Sequence, residues 1–161
     1  EEQLSYLRQT GEKVAVLKSA NMSLGINLLM KLLKEAAQKL CEEGFDVEIV
    51  EQHHNKKLDA PSGTALALAD SVNEAMDNRF EYVYDRSQVR KQRDKKELGI
   101  SAVRGGTIVG DHEVIFAGTD EVITFKHTAY SRAVFAKGSI AAAKFLKGKA
   151  AGMYDMADVL L

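Results

Sequence analysis

Cysteine and proline are almost absent: the chain of 161 residues holds one of each, Cys41 and Pro61. A single cysteine forms no internal disulfide, and the matching expectation is a reducing, cytoplasmic setting. Net charge is −1, which gives no global pull toward nucleic acid or an anionic membrane. No apolar run approaches the ~20 residues of a membrane span. No Gly-x-Gly-x-x-Gly or Walker-type loop occurs, so no phosphate-binding cofactor motif is complete in the chain. The start, Glu1-Glu-Gln3, lacks a basic-then-apolar leader. It also lacks an initiating Met, as expected of a portion of a longer protein.

What is present fits one soluble globular domain of ordinary size. Hydrophobic residues make up 45% and charged residues 28%, a mix that argues against disorder. Spacing predicts a short helix over 2–10 and a buried strand over Val14–Leu17. Ser23 is an N-cap candidate for a long helix from Leu24 to Cys41, whose apolar positions include Leu28, Leu29, Leu32, Leu33, Ala36 and Leu40. Gly44 stands just beyond its end. A strand over 45–51 and a second helix over about 63–76 follow. Phe80–Tyr84 reads as a further strand, and Arg86–Glu97 as a charged, mobile, solvated loop. Ile100–Arg104, Thr107–Ala117 and Val122–His127 read as an antiparallel meander, turned at Gly105-Gly106 and Gly118-Thr-Asp120. A last helix is predicted over about 131–147. The class is α+β: a mixed sheet of about four strands with two helices on one face.

The densest chemistry lies in Glu51-Gln-His-His-Asn-Lys-Lys-Leu-Asp-Ala-Pro-Ser-Gly-Thr64. Neighbouring histidines on a strand point to opposite faces, so either one of them enters a cleft or the strand has ended and both do. Histidine donates a proton near neutral pH. Lys57 lies in a loop whose direction Asp59 and Pro61 fix. Ser62-Gly-Thr64 opens a helix whose free N–H groups suit carboxylate or phosphate. An acid, a cation and an N–H nest suit a small carboxylate-bearing substrate that must be protonated. The bland alternative is a pair of surface or hydrogen-bonded histidines and a solvated lysine. A metal site is disfavoured, because adjacent histidines on one strand are poorly spaced as ligands and no Cys or His-x-His arrangement joins them. His112 and His127 read as hydrogen-bonded sheet residues. The basic run from Arg86 to Lys96 lacks interleaved aromatics and contains acids, so it reads as solvated rather than as a nucleic-acid patch.

Glu51-x-His-His-x-x-Lys-x-Asp-Ala-Pro-Ser-Gly-Thr64 resembles the signature of the 4-hydroxy-tetrahydrodipicolinate (dihydrodipicolinate) reductases of lysine and diaminopimelate biosynthesis. Ser19-Ala-Asn-Met-Ser-x-Gly-Ile-Asn27 resembles that family's hinge into the substrate domain. Arg104-Gly-Gly-Thr-Ile-Val-Gly-Asp-His112 resembles its second block, and Ser131-Arg132 with Phe135 and Gly152-Met-Tyr-Asp-Met156 resemble its C-terminal end. The glycine-rich dinucleotide-binding region of such proteins has no counterpart here. The resemblance implies three parts: 1–22 a remnant of the dinucleotide-binding domain, 23–130 the substrate-binding and tetramerisation domain, and 131–161 a segment that packs on the dinucleotide-binding domain. It implies His53 as proton donor, and Lys57 as a substrate-carboxylate ligand that assists protonation. It implies His54, Gly63 and Thr64 as substrate-binding, and Ser19, Ala20, Asn21, Met22, Arg132 and Phe135 as cofactor-binding. The implied cofactor is NADPH or NADH, the implied substrate a cyclic unsaturated dicarboxylate. The implied assembly is a homotetramer that uses the other sheet face, with no metal, nucleic acid or membrane partner. The chain by itself is expected to be inactive.

Two rival readings come from other classes. One is a noncatalytic dicarboxylate-binding or oligomerisation module built on the same residues. The other is an aldolase or lyase that uses Lys57 as a Schiff-base amine.

Overall fold

The computed structural model describes residues 2–160; the outermost positions of the expected three-part division, 1 and 161, lie outside them. The elements run α1 (Glu2–Gly11), β1 (Ala15–Leu17), α2 (Leu24–Leu40), β2 (Asp46–His53), α3 (Gly63–Ala75), β3 (Glu81–Val83), β4 (Glu97–Arg104), β5 (Gly110–Ala117), β6 (Val122–Ala129), α4 (Ala133–Leu146), β7 (Gly152–Tyr154) and α5 (Met156–Val159). The chain forms two compact units. One comprises the residues up to Leu28 and from Arg132 on, the other Leu29–Ser131.

The second unit is built on a mixed sheet in the order β3-β4-β2-β5-β6. It is α+β as expected, with five strands where sequence patterning gives about four. β3, β4 and β2 run parallel, β5 pairs antiparallel with β2, and β6 antiparallel with β5. The expected β4–β5–β6 meander is therefore corrected: β2 lies between β4 and β5. Strand periodicity defines which face a side chain takes but not which strand sits beside it.

β2 alternates half-buried and buried residues along its whole length, with Val47, Ile49, Glu51 and His53 on the covered face. Val47, Ile49, Leu98, Ile100, Val114 and Phe116 from the strands meet Leu29, Leu33, Ala37 and Cys41 from α2 and its end, and Ala65, Leu68, Ala69 and Val72 from α3. Each fully buried aliphatic side chain here contributes roughly 1.5–3 kcal/mol. The buried stripe of α2 follows the i, i+4 spacing 29-33-37-41, so Leu28 and Leu32, one position off it, are 47% and 42% exposed. Gly44 turns the chain from α2 toward β2 at φ +86, a region that glycine enters without strain.

The charged segment before β4 is exposed over most of its length, as expected of a solvated loop, but Arg86 and Arg93 depart from that state. Arg93 donates from Nε to Glu48 Oε1 (2.9 Å), from Nη1 to Asp46 Oδ1 (2.8 Å) and from Nη2 to the Val47 carbonyl (3.0 Å). Arg86 pairs with Glu97. A guanidinium that satisfies three acceptors on one strand is a fastener, not a solvated charge.

In the first unit β1 and β7 form a parallel pair, with Val16 opposite Met153. A β-carbon on Gly138 of α4 would overlap the Met22 carbonyl oxygen, so only glycine lets that helix approach the 19–23 turn. Phe145 packs edge-on against Tyr154 with centroids 5.6 Å apart. Asp155 caps α5 in a capping box with Asp158.

Candidate functional site

The site grows out of the core by register. Across the covered face, one row of the sheet reads Leu98–Val47–Phe116 and the next Ile100–Ile49–Val114. The third row reads Ala102–Glu51–His112–His127, and in the fourth Arg104 lies opposite His53. The hydrocarbon rows thus pass into a polar pair of rows at the C-terminal end of β2.

Glu51 is fully buried. Its carboxylate accepts two hydrogen bonds from Arg104 (Nη1 to Oε2, 2.8 Å; Nη2 to Oε1, 2.7 Å), one from the Ser62 amide (2.9 Å), and lies 2.5 Å from His53 Nδ1. Burial alone would raise this carboxyl, but the hydrogen bonds from Arg104, His53 and Ser62 together outweigh it and hold the group below the usual carboxylate range. A buried carboxylate this fully partnered stays ionised and rigid.

His53 ends β2 and is 8% exposed, while His54, one residue on, is half-buried in the loop. Their inequivalence follows from the strand: His53 keeps the covered-face register of Glu51. The loop after β2 is tied down at both ends. Gly105 N donates to the His53 carbonyl and Asn55 N to the Gly106 carbonyl. Arg104 Nη2 donates to the Asp59 carbonyl at 2.7 Å.

Ser62 joins the loop to α3. As N-cap its Oγ accepts from Ala65 N, which satisfies one orphan donor of the first turn. The same Oγ lies 3.0 Å from His112 Nε2. His112 in turn meets His53 edge-on, with ring centroids 5.1 Å apart. Burial, then the neighbouring His53, pushes the His112 imidazole down to about 4, so it is neutral at pH 7. Its Nδ1 is buried with no hydrogen-bond partner among the described residues.

Gly63 and Thr64 open α3, and the space where a Gly63 β-carbon would stand is open for 4 Å. Lys57 Nζ donates to Asp59 Oδ1 at 2.7 Å. That hydrogen bond, and one from a backbone amide, hold the exposed Asp59 carboxyl below its usual range.

His53, His54, Lys57, Gly63 and Thr64 all fall in the second unit, on β2, the following loop and the start of α3. Ser19, Ala20, Asn21, Met22, Arg132 and Phe135 fall in the first. There the 19–22 turn is held by buried Asn27, which donates to the Asn21 carbonyl (2.9 Å) and the Ser23 carbonyl (2.7 Å) and accepts from Ser19 Oγ (3.3 Å). Arg132 is exposed at the head of α4, and Phe135 is half-buried one turn on. Among the described residues no group of three His, Cys, Asp or Glu side chains converges as a metal cage. No helix of the described residues is long and apolar enough to cross a membrane.

Sequence reasoning does not single out Glu51, Ser62, Arg104 or His112 as site residues. Glu51 has a signal: two residues before His53 on a strand, it must share that face. Arg104 and His112 bound the second block of the family resemblance but have no local signal of what they hold, because their partners lie 53 and 50 residues away.

The family described as dihydrodipicolinate reductase, C-terminus, matches residues 25–160. The 4-hydroxy-tetrahydrodipicolinate reductase of Caldanaerobacter subterraneus subsp. tengcongensis is 55% identical over 160 residues, 99% of this chain and 63% of the relative. That of Clostridium tetani is 53% identical over 155 residues, 96% of this chain and 60% of the relative. The dipicolinate-bound dihydrodipicolinate reductase from Paenisporosarcina sp. TG-14 superposes with TM-score 0.74 at 25% identity, covering the whole of this chain and 61% of that one. The chain thus spans about three fifths of the length of the relatives it matches.

Proposed function

The chain belongs to the dihydrodipicolinate reductase family, as its C-terminal portion, and on that premise we propose that it is the substrate-binding part of a cytoplasmic 4-hydroxy-tetrahydrodipicolinate reductase. The observation that carries this reading is the buried His53, held by an ionised carboxylate at the end of β2, on a loop that leads directly into the first turn of α3.

In this reading the substrate is a cyclic unsaturated dicarboxylate. Lys57 supplies a cation for one carboxylate, exchanging its present partner Asp59 for the substrate. Gly63 and Thr64 present the positive end of α3, where the absent β-carbon at Gly63 leaves room for close approach. His54 lies in the same loop and lines the substrate. His53 supplies the proton that completes the reduction. The Paenisporosarcina reductase, which is dipicolinate-bound, supports a planar ring dicarboxylate as the ligand class.

A nicotinamide dinucleotide, NADH or NADPH, would supply the hydride when bound. The asparagine-held 19–22 turn, with exposed Ala20 on it, fits one wall of such a ligand, and Ser19, Ala20, Asn21, Met22, Arg132 and Phe135 would be the residues of this chain against it. No glycine-rich loop for its pyrophosphate occurs in the sequence, so the chain alone is expected to turn over no substrate. The three-part division at 23 and 131, and assembly as a homotetramer through the uncovered sheet face, belong to the same proposal. Exposed Val103 and Val122 are compatible with the latter.

The test is calorimetric titration of the chain with pyridine-2,6-dicarboxylate beside a Lys57→Ala variant. Binding that disappears in the variant is the expected result. Equal binding by both would remove Lys57 from the site, and binding by neither would overturn the substrate reading for this chain.

A further inference from the structure

A histidine acid has two ring nitrogens, and the fold must decide which one faces the substrate. An ionised carboxylate can only accept hydrogen bonds. Glu51 Oε2 lies 2.5 Å from His53 Nδ1, so Nδ1 is the donor of that contact and carries a proton in both charge states of the ring. Glu51 cannot swing away to release it. Arg104 grips both its oxygens, and the Ser62 amide holds Oε1. Rotation of the imidazole would break a charge-assisted hydrogen bond with no water-exposed alternative for the carboxylate.

The other nitrogen is differently placed. His53 Nε2 has no hydrogen-bond partner among the described residues, and it lies 3.1 Å from where a β-carbon on Gly110 would stand. Any side chain at the first position of β5 would press on that nitrogen. With no side chain there, the next residue near that point is His112, whose Cε1 lies 3.8 Å from it.

We propose that Glu51 is the positioning carboxylate of the site. It holds His53 through Nδ1 so that Nε2, beside Gly110, is the nitrogen that gives its proton to the substrate, and Arg104 keeps Glu51 in place. This rests on the reading of His53 as proton donor. In the step, the Nε2–H bond breaks and its electrons stay on nitrogen. The electron pair on the reduced ring of the substrate forms the new bond to hydrogen. The imidazole is left neutral with its remaining proton on Nδ1, against Glu51. Gly110 is the complementary element, because it reserves the space through which that proton passes.

The deciding experiment is long-range proton–nitrogen NMR of the unliganded chain labelled at histidine nitrogens, at a pH where the ring is neutral. The His53 signals are identified by their loss in His53→Asn. The expected spectrum shows the proton on Nδ1 with a preference of at least about tenfold, the size of one hydrogen bond to a charged group. A proton on Nε2, or an even mixture, overturns the proposal with no variant needed. Glu51→Gln should move the population toward Nε2–H, and an unmoved tautomer ratio would remove Glu51 from the role. Gly110→Ala should keep the Nδ1–H tautomer while weakening pyridine-2,6-dicarboxylate binding about tenfold. Unchanged binding would show that the space beside Nε2 is not the substrate's. If the tautomer is as expected but the chain binds no dicarboxylate, the substrate reading falls and the positioning of His53 by Glu51 stands.

Discussion

The two halves of β2 show the same face to the interior and put it to opposite uses. Val47 and Ile49 are fully buried among aliphatic and aromatic side chains, and Glu51 is buried as completely. In the first half burial is the stabilising term itself. In the second, burial is a penalty that Arg104, Ser62 and His53 must offset bond by bond. One register sets both, so the site inherits the rigidity of the core without its chemistry. A strand that could slip by one residue would lose both at once.

Glu51 is where the polar half of β2 is most vulnerable. Glu51→Ala leaves Arg104, the Ser62 amide and His53 without their shared acceptor, and is expected to destabilise the chain by about 3–5 kcal/mol in urea unfolding. Adding Arg104→Ala should cost less than the sum of the two single changes, because the second removes a charge the first had stranded. A loss below about 1 kcal/mol for Glu51→Ala would mean that the polar half is not held as tightly as the hydrocarbon half.

The next effect is one of pH. His112 is pushed from the usual 6.5 to about 4 by burial. Between those values the unfolded chain binds a proton that the folded chain refuses. The stability from this group is therefore complete above about 6.5 and is lost as pH falls toward 4, by roughly 3 kcal/mol. Glu51, whose carboxyl is depressed, acts in a lower window: its contribution is complete above the usual 4.5 and is lost only as pH falls through its folded value. Urea midpoints measured from about pH 7.5 to about pH 4 should show the first loss. His112→Phe should flatten it while leaving the more acidic limb.

Legibility from sequence follows the same divide. The hydrocarbon half of β2 is readable from alternation, and α2 and α3 from spacing, Ser23, Ser62 and Gly44, because each of those signals is local. The motif from Glu51 to Thr64 is readable as a place of chemistry, since acid, cation and helix start lie within fourteen residues. What holds the place together is not. Arg104, which grips Glu51, reaches it through the pairing of β4 with β2, whereas sequence spacing alone sets β4 beside β5. Arg93 reads as one more solvated base, yet its acceptors are Asp46, Glu48 and the Val47 carbonyl, some 45 residues away. His112 reads as an ordinary sheet residue, yet it holds Ser62 and touches His53. Charges that fasten one segment to another leave no periodic trace.

The hydrocarbon half of β2 responds to a smaller change. Ile49→Val removes one methylene from the aliphatic row and is expected to cost about 1 kcal/mol through lost burial and a small cavity. Because the row beyond it is held by hydrogen bonds and not by packing, the His53 tautomer should be unchanged in that variant by the same NMR measurement. A shifted tautomer would show that the two halves of the strand are coupled through packing.

The smallest stability effect is expected where the functional effect is largest. Lys57 pairs with Asp59 at 2.7 Å, but Asp59 is exposed, with 59% of its side chain in solvent. Such a pair contributes little to folding, because solvent screens the Asp59 charge, although the Lys57 side chain is only 21% exposed, and two flexible side chains must be ordered to meet. Lys57→Ala should therefore leave the urea midpoint within measurement error while abolishing calorimetric binding of pyridine-2,6-dicarboxylate. Glu51 is committed to protein partners on every side and cannot be lent to a ligand. Among the described residues Lys57 has one ion-pair partner, and a substrate carboxylate can take the place of Asp59 without exposing anything buried. A Lys57→Ala variant that unfolded early would place this lysine with the structural charges and leave the loop without its cation for a ligand.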